Sequence, residues 1–571
     1  MKITAPIGLI VRVETIFKDF NYEKRLDLIR SFSKQELIKH LAMINFLPNV
    51  GFKDTFDKQI GILGILAEND RELFVKVYNQ ALLLKSGTDI PLIFSRASTL
   101  TAIEEILQSD VKNEGYQRIE PHSFLKYYLS VNSFIAESQH KSDSGSEKNN
   151  LSFEEKFVAG TAPSNAFFHD FRPLESIRRG ICLSHFFQTH KKYSKHYNLY
   201  FDEIGYKPEL FMVWLMRCII PSLNMRRVHF PIIAPKLEQD KIIFNHLSCG
   251  AINKNKSILE TFNVTKNPIY KLDKGNYLLL DKELILDKSY HSLINDFYFG
   301  KLKVESERWD EYKKEIGIFF EKYVGEKIKS AFSFLKYPPP KVLGELKKKL
   351  PNGKKELADF YVRQNKRILI GQVKASAINS KSKYSNSNDD FYKQDKKRFY
   401  KAFGVEQFVD VTLDLIINSP QVFDDKFPIN KKVQIYPVIV SNERILAAPF
   451  IGVSFQEYFV EKVKDKFQNV SWSGNITDNV VINKKIEVRP LVIWSIEDVE
   501  TLELYIKRRK MVIWEILKKH IKNSQLQIPF SETLKYNTKM LERQQYLSED
   551  LMPFMKEVQE KLMKEKSLSD K

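Results

Sequence analysis

The chain has 571 residues, 43% hydrophobic and 28% charged, with a formal net charge of +19. This length and apolar content support sizeable cores in more than one domain. No apolar run is long enough to span a bilayer, since the longest, residues 211–223, contains Arg217 and Pro221. Three cysteines, Cys182, Cys218 and Cys249, are too few for a disulfide scaffold. The first residues lack the charged start and apolar stretch of a signal peptide, so a soluble, cytoplasmic protein with no membrane partner is expected. The basic balance, with a pI near 9.3, favours nucleic acid or another acidic surface as partner.

The first 300 residues are mainly helical in pattern, with apolar side chains at three and four spacing over 22–43, 58–84, 102–107 and 174–190. Residues 137–150 are polar and offer nothing to bury, which predicts a linker or loop. The expected organisation is a mainly helical region 1–136, a linker 137–152, and a second mainly helical region 153–304. Shorter patterns at 270–280 and 284–286 leave room there for some strand. Cys182-x-x-His185 and His246-x-x-Cys249 each have the spacing of half a zinc site. The two pairs are far apart and lie beside apolar segments, so core thiols and satisfied histidines are the expected reading.

Beyond residue 305 the patterns change. Residues 309–332 predict an amphipathic helix with Ile316, Phe319, Phe320, Tyr323, Val324 and Ile328 on one side. Residues 355–362 and 368–375 read as two half-buried strands joined through a polar turn. A two-residue loop at Asn365 and Lys366 would set Asp359 opposite Gln372. Alternation would then put Ile368, Ile370, Gln372 and Lys374 on one face, and Leu369, Gly371, Val373 and Ala375 on the other. A carboxylate, an amide and an ammonium thus converge where a structural hairpin would carry hydrocarbon. A basic helical stretch follows at 391–408, then buried strands at 433–440 and 489–494, and a C-terminal helix over 531–566.

Phosphodiester hydrolysis needs a divalent cation on a phosphate oxygen and a positive group near the attacking water. Asp359 suits the first role and Lys374 the second. The arrangement resembles the PD-(D/E)XK phosphodiesterase superfamily, with the restriction-endonuclease-like fold. It is most similar to Mrr-like members, which carry Gln where others have a second carboxylate, as in Gln372-Val373-Lys374. Ala358 stands where many members have the Pro before the first acid.

The order helix, hairpin, helix, strand, strand extends the resemblance over about 305–510. It implies an α/β nuclease domain at 305–510, which together with the helical patterns on either side gives an α+β chain: a mainly α-helical N-terminal half, that domain and a helical extension at 511–571. It further implies a Mg²⁺-dependent nuclease, with Mn²⁺ able to substitute. Asp359, Gln372 and the Val373 carbonyl would hold the metal, Glu321 on the first core helix would assist, and Lys374 would activate water. Gln407, at the end of the later helix, would sit beside the substrate. A neutral Gln372 predicts weaker metal binding than a paired-carboxylate site gives.

Between residues 341 and 401 about 17 Lys and Arg face 6 Asp and Glu, so more than half of the excess charge surrounds this motif. Lys354, Lys355, Lys393, Lys396, Lys397 and Arg398 are the candidate phosphate contacts. DNA is the expected partner, with RNA as the other polyanion and a homo-oligomer or a separate subunit as a further possibility. The expected function is a DNA endonuclease of a bacterial restriction or phage-defence system, whose helical half recognises a target or restrains cleavage. The competing expectation is a nucleic-acid-binding or assembly protein that keeps the fold without catalysis.

Overall fold

The computed structural model describes residues 8–46, 55–68, 70–85, 90–145, 173–223, 230–235, 237–250, 257–333, 340–343, 346–350, 353–376, 399–422, 424–443, 446, 451–475, 477–507, 512–524 and 528–537. The chain is mixed α+β, helical early and sheet-centred late. The helix expected at 22–43 is divided into a 3-10 segment, Tyr22–Leu28, and an α-helix, Lys34–Phe46. That expected at 58–84 is also two helices, Thr55–Ala67 and Arg71–Leu84. The break falls at Asp70, whose carboxylate accepts the Leu73 N–H and caps the second helix.

Residues 137–145, expected as linker, continue the helix Pro121–Gly145; residues 146–152 lie outside the described residues. The strand allowed for near 270–280 is present. Ile232–Ile233, Ile269–Lys271 and Tyr277–Leu279 form an antiparallel sheet with the last in the middle. Leu284 to Leu286 belong instead to a helix, Lys282–Asp287. Asp281 accepts the N–H groups of Glu283 and Leu284 and starts that helix where a bare apolar run would read as strand. Among the described residues no helix is long and apolar enough to cross a membrane.

From residue 309 the elements position the site. Helix α1 is Trp309–Ser333. The strands are β1 Lys341–Leu343, β2 Leu346–Leu350, β3 Gly353–Ala358, β4 Phe360–Gln364, β5 Arg367–Lys374, β6 Val433–Ser441, β7 Val470–Ser471, β8 Val480–Ile482, β9 Ile486–Val488 and β10 Val492–Ser495. Helix α2 is Ile451–Lys466 and α3 is Ile496–Lys507.

One eight-stranded sheet runs β7-β8-β9-β6-β5-β4-β1, with β10 pairing the far half of β6. Strands β5 and β6 are parallel over their full lengths, whereas β1, β4 and β5 pair antiparallel. Strands β2 and β3 pair with each other in a separate ribbon.

The two faces of β5 enter different cores. Leu369 and Val373, with Phe360 and Val362, pack into a cluster containing Phe320 and Val324 of α1 and Trp494 of β10. Ile368 and Ile370, with Tyr361, pack among Phe399, Phe403, Phe408, Ile439 and Phe455. All six apolar residues assigned to one side of α1 are buried. The first of these clusters also takes in Ile177, Leu183 and Phe187 from the helix Pro173–Thr189 and Trp514 and Phe530 near the C-terminus.

That helix is tied to α3 by charge as well as by apolar contact. Arg179, fully buried, donates to Glu500 twice and to Glu497, each at 3.1 Å, and Tyr323 of α1 donates to Glu500 at 2.8 Å. The Arg179 guanidinium also lies 4.9 Å from the Tyr290 ring centre.

The β1–β4 edge is pinned by Asp424, which accepts from Tyr361, Arg363 and Lys341. Burial raises the Asp424 carboxyl, but hydrogen bonds from Arg363, Tyr361 and Lys341 outweigh it and bring the pKa down to about 2. A folded value below the ordinary 3.8 means that this stabilisation is complete above the ordinary value and is lost as the pH falls toward 2. The stability difference between wild type and Asp424→Asn, followed by urea unfolding, is therefore expected to be largest at neutral pH and to shrink as the pH drops through that window.

Candidate active site

The hairpin β4–β5 turns on Asn365, whose φ of +57° lies in the left-handed region that asparagine tolerates. Gln364 pairs with Arg367 and Phe360 with Gly371, the register that a two-residue loop demands. Asp359 stands at the next position, level with Gln372. The strand bends there. Asp359 separates β3, which leaves the sheet to pair with β2, from β4, which stays in it.

The bend makes the carboxylate part of the ladder. The Asp359 N–H donates to the Gly371 carbonyl at 3.0 Å, and the Val373 N–H donates to Asp359 Oδ2 at 2.6 Å. The side chain thus accepts a strand hydrogen bond that a regular partner strand would have taken from the backbone. It is 3% exposed, and a buried carboxylate needs such a donor.

Gln372 is wholly buried on the other strand, and its Nε2 donates to Thr412 Oγ1 at 3.1 Å. This bond fixes the sense of the amide. Thr412 lies in Phe408–Leu413, a π-helical turn behind the site.

Lys374 ends β5, partly exposed, with Ser441 as its partner on β6. Its stem crosses Gly404. A Cβ built there would come 2.7 Å from Lys374 Cε, and the Gly404 φ of +84° also disfavours a side chain. Gly371 is similarly required, because a Cβ would stand 2.1 Å from the Phe360 ring. Phe360 in turn lies nearly parallel to Trp494, with 6.5 Å between ring centres. Gly371→Ala is expected to cost about 1–3 kcal/mol by overpacking, readable as a lowered urea midpoint.

The remaining candidate residues are distributed differently. Helix α1 packs on the Leu369 and Val373 face of the sheet, and Glu321 is half-buried on it, whereas Gln372 and Lys374 belong to the opposite face. Gln407 is half-buried in the short helix Val405–Gln407, which begins at Gly404 beneath Lys374. Lys354 and Lys355 lie in β3, with side chains outside the described residues. Lys393, Lys396, Lys397 and Arg398 are outside them altogether, as is the part of the expected C-terminal helix beyond Asn537.

Cys182 and His185 sit on the helix Pro173–Thr189, while Cys249 donates its thiol to the Asn267 carbonyl at 2.7 Å. Among the described residues no group of three or more His, Cys, Asp and Glu side chains is placed to hold a metal.

One residue near the motif escaped the sequence reading. Past the end of β6, the Asn442 N–H donates to the Lys374 carbonyl at 3.2 Å and the Glu443 N–H to Ser441 Oγ at 2.9 Å. Glu443 is 5% exposed, a buried acid beyond the carboxyl end of a parallel strand, where open α/β sheets place their sites. The available signal was the polar Ser441-Asn442-Glu443 following an unbroken apolar strand.

No family model matches this chain, and no curated protein or solved structure is significantly similar to it.

Proposed function

We propose that this protein is a metal-dependent phosphodiesterase of the PD-(D/E)XK type, most similar to its Mrr-like members, and that it cuts DNA as an endonuclease in bacterial restriction or phage defence. The observation that carries this reading is the hydrogen bond of the Asp359 carboxylate to the Val373 amide. It holds a buried acid against the strand that presents Gln372 and Lys374. A hairpin serving only as scaffold has no need to bury Asp and Gln side by side and end on Lys.

The donor set suits Mg²⁺, a hard cation that takes oxygen ligands. Asp359, Gln372 through its amide oxygen and the Val373 carbonyl would hold it, and Glu443, just past the end of the neighbouring strand β6, would supply a further acid in place of the charge Gln372 lacks. Glu321, across the sheet, is the weaker candidate. When bound, the cation would polarise a phosphate oxygen and lower the pKa of water.

The chain's own groups do the rest. The Val373 amide orients Asp359, Thr412 fixes the Gln372 amide, and Gly404 leaves room for the Lys374 stem. The Lys374 ammonium then orients the attacking water and stabilises charge developing on the phosphate.

The test is incubation of supercoiled plasmid with the full chain in Mg²⁺, Mn²⁺ or EDTA, beside Asp359→Asn. Metal-dependent nicking that disappears in the variant is expected. Equal nicking by both proteins would remove Asp359 from the chemistry, and salt-sensitive binding without any nicking would favour the non-catalytic alternative.

A further inference from the structure

The ribbon of β2 and β3 stands apart from the eight-stranded sheet and joins a core only at its base, where Ala358 is buried. Each of its strands pairs only with the other among the described residues, and the ribbon springs from the site: Ala358, its last residue, precedes Asp359. Its register sets Lys348 opposite Lys355 and Lys349 opposite Lys354, with Lys347 opposite Glu356. Successive positions alternate between the two faces, so both carry a lysine pair. Like charges directly opposite each other destabilise a two-stranded ribbon, and such a ribbon is marginal in water even without them. A structural hairpin would not concentrate five lysines and one glutamate in this way.

We infer that this ribbon is a duplex-DNA clamp, laid in the major groove beside the scissile phosphate, with Lys348, Lys349, Lys354 and Lys355 neutralising phosphates on the two flanking strands. The inference rests on the nuclease reading and narrows its DNA substrate to the duplex, held through the major groove. The major groove of B-DNA admits a two-stranded ribbon, whereas that of A-form RNA is too narrow and deep for side chains to enter. At about 3.4 Å per residue, the five-residue strand β2 spans roughly 17 Å, half a turn of duplex. Strand β3 enters Asp359 directly, so groove contact at the ribbon and phosphate contact at the site share one continuous segment. The paired lysines, unfavourable in the free protein, become favourable once phosphates lie between and beside them.

The test uses the full chain in EDTA, so that binding is read apart from cutting, with Lys348→Ala/Lys349→Ala/Lys354→Ala/Lys355→Ala compared with wild type. The probes are a labelled DNA duplex, the same sequence as RNA duplex and one DNA strand. Each neutralised phosphate contributes about 0.9 to the slope of log affinity against log salt. The quadruple variant is therefore expected to lose about 3.5 from that slope and about a thousandfold in DNA-duplex affinity near 0.1 M salt. Its melting temperature should be unchanged or higher, because the lysine pairs repel.

Unchanged slope and affinity in a folded variant would overturn the clamp. Equal losses on single-stranded DNA or RNA duplex would overturn its fit to the DNA groove. Wild type that binds with the expected slope but leaves the DNA duplex uncut when Mg²⁺ or Mn²⁺ replaces EDTA would sink the nuclease reading while leaving the ribbon as a binding arm. Lys348→Arg/Lys355→Arg, which keeps the charge, is expected to bind as wild type does.

Discussion

Lys374→Met is expected to lower plasmid cutting by about 10²–10³-fold while leaving duplex binding within about threefold, because it removes one preorganised donor and little else. Methionine keeps an unbranched stem that can cross Gly404 as the lysine does, so the loss reports the ammonium itself. The ammonium is one charge among 90 lysines and arginines, which is why binding should hardly notice. Gly404→Ala supplies an independent check. Its Cβ would stand 2.7 Å from Lys374 Cε, at a backbone φ of +84° that alanine resists, so it should move the lysine without removing it. The expected signature is a fall in kcat with KM little changed. Full cutting by Lys374→Met would assign the charge stabilisation to another group.

How much of this site was readable from residues alone can be judged from Asp359. Its closeness to Gln372 followed from alternation and an asparagine turn, both local properties, and the register bore this out. The bend at Asp359 did not follow, since residues 355–362 contain no glycine or proline to mark a break in the strand. What ends the strand is pairing between β2 and β3, a contact that no single segment encodes.

Glu443 was invisible for the same reason. It lies far along the chain from Asp359, and only the parallel pairing of β5 with β6 brings it near Lys374. Helix Pro121–Gly145 illustrates a different limit. Its last residues are polar and carry no apolar period, yet they extend a helix nucleated on buried Phe124, Leu125 and Tyr128. The meander β7-β8-β9 was also missed, although Asn483 and Lys484, both at positive φ, form the kind of turn that announces a hairpin.

Arg179→Met is expected to destabilise the protein by about 3–5 kcal/mol, the largest stability effect of any single change considered. The side chain is fully buried and faces Glu500 and Glu497, whose combined charge it offsets in part. Burial first, and then the neighbouring Glu497 and Glu175, push the Glu500 carboxyl upward, and Arg179 opposes that rise. Without the arginine, Glu500 must either stay charged without its counter-ion or take up a proton, and both choices cost free energy in the folded state alone. Arg179→Met/Glu500→Gln should recover much of the loss, since the amide oxygen still accepts from Tyr323 and the more deeply buried of the two carboxylates is removed with its counter-ion.

The consequence reaches beyond the helix that carries Arg179. Ile177 and Leu183 on that helix share one apolar cluster with α1, with the Leu369 face of β5 and with Trp514, so loosening it removes support from behind the β4–β5 hairpin. Urea unfolding followed at tryptophan and by far-UV circular dichroism should therefore show a single transition that shifts as a unit in Arg179→Met. Two separated transitions, with only the earlier one moved, would mean that the helices before residue 305 and the sheet after it stand independently, and that Arg179 bridges two bodies rather than stabilising one.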